Sequence, residues 1–322
     1  MGNVYDVVSI GEPVIDFIPV KEPGRLKYVA MPAGGAANVL SAAVKMGART
    51  AMIGWTGADV FGDYIKDCMN GLGIDATHVR QGREKNTGIG FVHLSPEGER
   101  SFLFYRPGGM LPIYLPQRDD EVLGSTRIFH YTSVSLCQGQ REGTLAAVRY
   151  AKKQGALISF DVNYRKDFWD HEEQAKETIS QCIRGADFVK MSEEELRLLY
   201  PEDTMETCTQ KLISGGCALA AITMGERGGY CRTRNAKSRC AGYQVRAVDT
   251  TGCGDSFVGT VLGLVSRLKK PMDQLSGEEL TVILCKATAA ANLCASRYGS
   301  MDIMAAEDEI TGLMETGEKH HE

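Results

Sequence analysis

The chain lacks the short signatures that mark many well-known nucleotide and hydrolase sites. It has no GxxxxGKS/T run, which excludes a P-loop, and no GxGxxG after its first strand-like stretch, so the dinucleotide fingerprint is missing. It has no HExxH, and its six histidines are too scattered to propose a zinc site. Without a GxSxG elbow, a serine hydrolase of the α/β type is not expected. Basic charge is in deficit: 36 Lys and Arg against 41 Asp and Glu give a formal charge of −5, which argues against nucleic acid as the main partner. No apolar run approaches the roughly 18 residues of a membrane span, so no membrane partner is expected. The start, Met1-Gly2-Asn3-Val4-Tyr5-Asp6, has neither a basic nor a long apolar region of the kind a signal peptide carries. The ten cysteines include no CxxC pair, and most fall within apolar patterns where a free thiol acts as a small hydrophobe. A reduced, cytoplasmic protein is expected. The polar tail Lys319-His320-His321-Glu322 is read as disordered and not as a metal site.

What is present is an alternation of strand-like and helical patterns. Asp6 to Ile10 reads as a buried strand, and Val14 to Pro19 as a strand with one acid, Asp16, among apolar neighbours. Asp16 is either a solvent-facing acid or a carboxylate that accepts hydrogen bonds from a polyol. Gly34-Gly35 opens a small-residue helix that contains Asn38 and closes at Gly47; Thr50 to Gly54 is the next strand and Asp59 to Leu72 the next helix. Gly88 to Leu94 and Arg100 to Arg106 alternate around Pro96-Glu97-Gly98 as a β-hairpin would. With Val14 to Met31, this hairpin reads as a small β appendage. From Arg127 onward strand and helix alternate regularly, and Tyr230 to Val248 reads as a second β patch. The pattern implies a mostly parallel sheet covered by helices on both faces, with ligands beyond the carboxyl ends of the strands. Four polar clusters fall at such ends: Asp161 to Arg165, Ser192 to Glu195, Gly225 to Gly228 and Asp249 to Asp255. Neither an internal repeat nor a low-complexity linker divides the chain, so a single domain is expected.

The last cluster organises the others. Asp249-Thr250-Thr251-Gly252-Cys253-Gly254-Asp255-Ser256-Phe257 reads as a strand end, a glycine turn and the first turn of a helix. The first amides of a helix have no internal partners and face an anion with the helix dipole behind them. A resident anion would be repelled by Asp255, so a carboxylate at that rim is better explained as a base that collects a proton. That combination suits phosphoryl transfer, which needs phosphates positioned, charge neutralised and a hydroxyl deprotonated. The amides of Gly252, Cys253 and Gly254 would form the anion hole, and Arg165 could clamp phosphate or substrate oxygens. Glu195, taken to lie on an exposed helix start, could hold Mg²⁺ through water or be an ordinary first-turn acid.

These residues also carry a family resemblance. Asp249 to Phe257 resembles the C-terminal signature of the ribokinase-like, or PfkB, carbohydrate kinases. Gly34-Gly35-Ala36-Ala37-Asn38 is similar to the family's N-terminal glycine motif, Asp161 to Arg165 to its D-x-N-x-R segment, and Val189 to Glu195 to its S/N-x-x-E segment. Thr223-Met224-Gly225 through Gly228 resembles its nucleotide-binding turn. The resemblance implies a three-layer αβα kinase domain spanning residues 1–322, with a β-sheet lid from about residues 12–33 and 86–112. It implies Asp255 as catalytic base and Asp16, Gly34, Gly35, Asn38, Arg106 and, in some members, Arg165 on the sugar. Asn163, Lys190, Glu195, Thr223, Gly225, Gly228 and Asn292 would lie toward Mg-ATP. A K⁺ site would use Asp249, Thr251, Cys294, Arg297 and Gly299. The strings around Asp16, Phe104-Tyr105-Arg106 and Lys190 look most like fructokinases, which implies transfer to O6 of fructose. The alternatives are 2-keto-3-deoxygluconate kinase, ribokinase, or a catalytically silent sugar sensor. Members often dimerise through the lid, so a homodimer is an expectation. Two features depart from the pattern: Cys253 stands where Ala is usual, and Arg106-Pro107-Gly108-Gly109 differs from the usual lid continuation.

Overall fold

The computed structural model describes residues 4–22, 24–94, 100–105, 113–137, 139–268 and 270–320. From the N-terminus, β1 (Tyr5–Ile10) leads into a hairpin of β2 (Val14–Glu22) and β3 (Arg25–Ala33), then α1 (Gly35–Lys45), β4 (Thr50–Gly57) and α2 (Val60–Gly71). The short strands β5 (Ile74–Asp75) and β6 (Val79–Gly82) precede a second hairpin, β7 (Ile89–Leu94) and β8 (Arg100–Tyr105). Helix and strand then alternate: α3 (Pro116–Gly124), β9 (Thr126–Thr132), α4 (Arg141–Lys153), β10 (Leu157–Asp161), α5 (Glu172–Gly185) and β11 (Phe188–Ser192). They continue with α6 (Glu193–Leu199), α7 (Met205–Ser214), β12 (Leu219–Thr223), β13 (Gly229–Arg232) and β14 (Lys237–Cys240). Three helices follow: α8 (Cys253–Arg267), α9 (Gly277–Ala295) and α10 (Glu307–Thr316).

Alternation along the strands decides the layering. Successive side chains point to opposite faces, so a strand buried on both sides must be apolar throughout. Val7, Ile128, Phe188 and Leu219 join a cluster with Leu40, Ile65, Val261, Leu284 and Ile310, from α1, α2, α8, α9 and α10. Val8, Phe129, Ile158, Val189 and Ala220 join the opposite cluster with Val122, Ala147, Ile179, Leu196 and Leu212, from α3 to α7. The result is the expected αβα sandwich. Its sheet runs β14-β13-β12-β11-β10-β9-β1-β4-β5, with β6 also beside β4. Strands β12 through β5 are parallel, and only the β13 and β14 edge is antiparallel. The chain moves from β1 to β4 in one direction and from β9 to β12 in the other. Sites in such sheets form beyond the carboxyl ends near this reversal.

The second sheet, β3-β2-β7-β8, stands apart from the first. Its β2–β7 register sets Asp16 beside Gly90, and β7–β8 sets Gly90 beside Phe104, so these three share one face. The other face carries Phe17, Tyr28, Phe91 and Tyr105 in ring contact, with Phe61 of α2 packed on Phe17.

Helices α1 and α8 pack in parallel at very close range. A Cβ on Gly259 would lie 2.2 Å from the Val39 carbonyl oxygen, and one on Gly263 would lie 2.6 Å from Met46 Cβ. Only glycine permits that approach. Asn38 is paired with Asp255 one turn earlier, so both helices begin at the same place. Their two N-termini therefore open side by side at the carboxyl edge of the sheet.

Four sequence expectations change. The β patch read as Tyr230 to Val248 ends at Cys240, and no strand precedes Asp249; the segment from Ala241 to Gly252 is irregular. Its backbone is held by other parts: the Asn292 side chain accepts from the Tyr243 amide at 2.9 Å, and the Val248 amide donates to Ala295 O at 2.8 Å. The tail is docked through His320, because Gln244 N donates to Glu318 O at 2.7 Å and His320 N donates to Gly242 O at 2.8 Å. Helices α3 and α10 were absent from the sequence reading. Glu195 is buried, not on an exposed helix start. Among the described residues no helix is long and apolar enough to cross a membrane.

Candidate active site

Asp255 is the third residue of α8, in its first turn, and it is buried. An acid at that position ordinarily has a lowered pKa because the helix dipole favours its charge. Here burial wins and pushes the carboxyl from 3.8 up to about 6. Asp161 pushes in the same direction, while the Asn38 amide, Arg165 and Lys190 oppose it. The Asn38 Nδ2 donates to Asp255 Oδ2 at 2.8 Å. The other carboxylate oxygen faces Gly35: a Cβ there would lie 3.3 Å from Asp255 Oδ1 and 3.3 Å from Asn163 Nδ2. The missing side chain leaves a cradle between the two N-termini, lined by a carboxyl group and an amide.

The α8 N-terminus itself is shaped by Gly252, whose φ of 77° is a left-handed conformation favouring glycine. The Cys253 amide turns back toward Thr250 O at 3.4 Å, a long contact. The amides of Gly254 and Asp255 fall in the first turn, where a helix offers no acceptor. Lys190 reaches the same turn. A Cβ on Gly254 would lie 3.1 Å from Lys190 Nζ. Lys190, in the middle of β11, is a buried ammonium ion-paired with Asp161 Oδ1 at 3.1 Å. Burial disfavours its charge, but Asp161, Glu195 and Asp255 hold its pKa above the ordinary value. First-turn amides and a fixed ammonium thus converge beside a buried carboxyl, an arrangement chemically suited to a transferring anion.

Asn163 has a φ of 35°, the one non-glycine positive φ found among the described residues. The strained turn is held by its amide donating to Asp161 Oδ1 at 3.2 Å and its carbonyl accepting from Ser133 Oγ at 3.1 Å. It throws Asn163 toward Gly35 and leaves Arg165 exposed, close enough to Asp255 to favour the carboxylate. Glu195 closes a capping box on Ser192, accepting from Ser192 N at 2.7 Å on one oxygen and from Tyr164 N at 2.7 Å on the other. Its burial raises its pKa, against Lys190.

A model of the pfkB family of carbohydrate kinases matches residues 5–307. The chain belongs to the pfkB carbohydrate kinase family. It is 33% identical over 317 residues to Fructokinase-1 of Oryza sativa subsp. japonica, covering 96% of this chain and 98% of that protein. Among solved structures, the fructokinase of Xylella fastidiosa with bound ATP is 27% identical, with a TM-score of 0.87 over 97% of this chain and 99% of that one. The fructokinase of Vibrio cholerae O395 with fructose, ADP and calcium ion is 27% identical, with a TM-score of 0.83 over 95% and 98%.

For a pfkB kinase, the residues expected on the sugar divide into two groups. Gly34, Gly35 and Asn38 stand at the α1 N-terminus beside Asp255, whereas Asp16 stands on the second sheet. Asp16 is buried, which removes the reading of a solvent-facing acid. Its carboxylate lies against Gly90, where a Cβ would fall 2.8 Å from Asp16 Oδ1 and 3.0 Å from Phe104 Cε1. Gly90 was missed in the sequence because one glycine in a strand gives no signal until its register is known. The Phe104 ring meets Phe168 at 5.0 Å between centroids, so the second sheet touches the segment that follows β10. Arg106 lies outside the described residues.

The residues expected toward the nucleotide line a second flank. Thr223 ends β12, and Gly225 and Gly228 take φ values of 60° and 92°. A Cβ on Gly228 would lie 2.0 Å from Cys240 O, so this turn packs backbone to backbone against the irregular segment. Asn292, holding Tyr243 N, secures the same wall. The residues expected at K⁺ come from two touching segments. Asp249 Oδ1 accepts from Thr251 N at 2.7 Å, and the Asp249 amide donates to Ala295 O at 3.1 Å. The Cys294 thiol donates to Thr251 O at 3.5 Å and is held protonated by its contact with Cys253 and by burial. The Arg297 guanidinium is turned away to Glu309 and to Ile303 O, so only its carbonyl could serve a cation. Gly299 has a φ of 146° and neighbours Ser300, which donates to Asn38.

Proposed function

We propose that this protein is an ATP-dependent fructokinase that transfers the γ-phosphoryl group of ATP to O6 of fructose. The observation that carries the reading is Asp255, a buried carboxyl with a raised pKa set between helix N-termini, amides and an ammonium. Asp255 takes the proton from the attacking hydroxyl. Its pKa of about 6 suits a base that is ionised at neutral pH. The Gly254 amide, with those of Gly252, Cys253 and Asp255 at the same turn, and Lys190 hold the negative oxygens of the migrating group. Asn38, Gly34 and Gly35 bound the sugar from the core, and Asp16 accepts its hydroxyls from the lid. Arg165 clamps phosphate or sugar oxygens at the open side. Thr223, Gly225, Gly228, Asn163 and Asn292 bound the nucleotide. The names of the relatives and the ATP, ADP and fructose bound by the two solved fructokinases support this assignment.

The residues fit a magnesium–nucleotide complex, because Asp161 Oδ2 is a buried carboxylate oxygen with no hydrogen-bond partner among the described residues. Asp161 and Glu195, both oxygen donors, would hold the ion through its waters. When bound, it neutralises phosphate charge. The Asp249–Thr251 turn and the Cys294 to Gly299 segment supply the carbonyl and carboxylate oxygens that suit K⁺. A homodimer through the lid would cover Leu26 and Leu103, which are 82% and 57% exposed. Use of ATP as donor suits a cytoplasmic setting.

The test is ADP release with Mg-ATP against fructose, ribose, 2-keto-3-deoxygluconate and nucleosides, with and without K⁺. The expected result is highest kcat/KM for fructose. Turnover confined to another sugar overturns the fructose assignment, and no turnover on any acceptor overturns the kinase reading.

A further inference from the structure

Asn38 can serve Asp255 in two ways, and its amide orientation decides which. With Nδ2 toward the carboxylate it is a donor and stabilises the charged base; with Oδ1 there, it would accept from the protonated acid and stabilise a form that cannot take a proton. Nothing in Asn38 itself prefers one orientation, since the two amide atoms are nearly the same size. The preference must come from what meets the far end of the amide.

That neighbour is Ser300. Its Oγ donates to Asn38 Oδ1 at 2.9 Å, while Asn38 Nδ2 donates to Asp255 Oδ2 at 2.8 Å. All three side chains are buried, so no bulk water competes for these atoms. Ser300 is itself fixed from both sides: its amide donates to Asp302 Oδ1 at 3.2 Å, and the next carbonyl, Met301 O, accepts from Ser41 Oγ on α1. Ser41 is three residues beyond Asn38, so the segment that carries Ser300 is tied to the helix that carries Asn38. Asp255 is faced by Asp161 of β10, Lys190 of β11, Arg165 beyond β10 and Cys294 of α9, and none of these is bonded to Asn38.

We propose that Ser300 is a positioning residue for phosphoryl transfer: by donating to Asn38 Oδ1 it locks the amide with Nδ2 on Asp255, and so keeps the base in its proton-accepting form. This rests on the reading of Asp255 as the base. It adds a residue outside the glycine motifs, placed at the end of the 294–299 segment expected to bind a cation.

The test compares Ser300→Ala, Ser300→Thr and Asp255→Asn in steady-state kinetics with Mg-ATP and fructose, with thermal unfolding measured on each. Ser300→Ala is expected to lower kcat about tenfold at pH 5 and about twofold at pH 7, with KM for ATP little changed, the size of one lost hydrogen bond. The acid limb of its kcat profile is expected to move up by about one pH unit, so that activity recovers in alkali. Ser300→Thr, which keeps the hydroxyl, is expected to restore the wild-type limb. The proposal is overturned if Ser300→Ala keeps the wild-type profile while Asp255→Asn is inactive. It is overturned equally if the loss is the same at every pH and tracks a fall in thermal stability. If Asp255→Asn itself keeps near-normal kcat, the reading of Asp255 fails, a result that the Ser300 variants cannot imitate.

Discussion

The two sides of the site are built in opposite ways. On the core side the central polar groups sit on rigid elements: Asp255 and Asn38 in the first turns of α8 and α1, Lys190 within β11 and Asp161 at the end of β10. These groups are buried and bonded to one another, and glycines at positions 259 and 263 draw the helices that carry them into near backbone contact. On the lid side, Asp16 sits on a separate four-stranded sheet, which meets the core through side chains such as Phe104 on Phe168 and Phe17 on Phe61. A preorganised electrostatic site gains from rigidity, because the dipoles need not turn as charge develops. A face that must admit and then enclose a sugar gains from a separate, movable sheet. The comparison predicts that core substitutions act on kcat and lid substitutions on KM for the sugar.

The largest expected effect is at the base. Asp255→Asn should lower kcat by about 10²–10⁴ with ATP still bound, as measured by ADP release and nucleotide titration. The same change has a stability sign that can be checked without activity. A carboxyl raised from 3.8 to about 6 holds its proton more tightly when folded, so the cost of its burial is absent below about pH 4 and complete above about pH 6. Asp255→Asn should therefore stabilise the fold by about 2–3 kcal/mol at pH 8 and hardly at all at pH 4, read from urea unfolding. For the wild type, kcat/KM should fall as pH drops through about 6. A stability gain equal at both pH values would mean that Asp255 is not a buried, strained charge, and the rigid side of the comparison would lose its main support.

On the lid, Asp16→Asn keeps the size of the side chain but removes the charge and turns one acceptor into a donor. If Asp16 accepts sugar hydroxyls, KM for fructose should rise roughly 10- to 100-fold, the worth of a hydrogen bond to a charged group. KM for ATP should stay put. A loss carried by kcat instead would mean that the lid positions the reacting hydroxyl and does not only select it.

The core side was largely legible in the sequence because its geometry is local. Glycines just before a helical pattern, with an acid in the first turn, define an anion seat by backbone rules alone, and the alternation of β and α segments places that seat at a sheet edge. Glu195 was legible as a first-turn acid for the same reason, yet not the burial that makes it a partner of Lys190, since burial depends on the loop from Tyr164. The strand expected before Asp249 failed because the backbone beyond Cys240 gives its hydrogen bonds to α9 and the docked tail, not to a neighbouring strand. The Ser300 and Gly90 contacts were not legible at all. Ser300 meets Asn38 across 262 residues, and Gly90 matters only through a register with Asp16 that no local pattern encodes.

The smallest effects give the sharpest form of the comparison, because one methyl group can be added on each side. Gly35→Ala places a Cβ 3.3 Å from Asp255 Oδ1 and Asn163 Nδ2; Gly90→Ala places one 2.8 Å from Asp16 Oδ1 and 3.0 Å from the Phe104 ring. Distance alone would make Gly90→Ala the worse clash. Position reverses the expectation for kcat. Asp255 is held by Asn38 and Asn163 by its strained turn, so at Gly35 neither neighbour yields readily and the added methyl enters the cradle beside Asp255. At Gly90 the two neighbours are side-chain ends on the second sheet, not on the elements that carry Asp255. Gly35→Ala should lower kcat about tenfold, the scale of a small misplacement of reacting groups. Gly90→Ala should raise KM for fructose severalfold and leave kcat within about twofold. If both substitutions changed kcat alike, the lid would have to be as rigid as the core, and the division between a side that runs the chemistry and a side that chooses the sugar would fall.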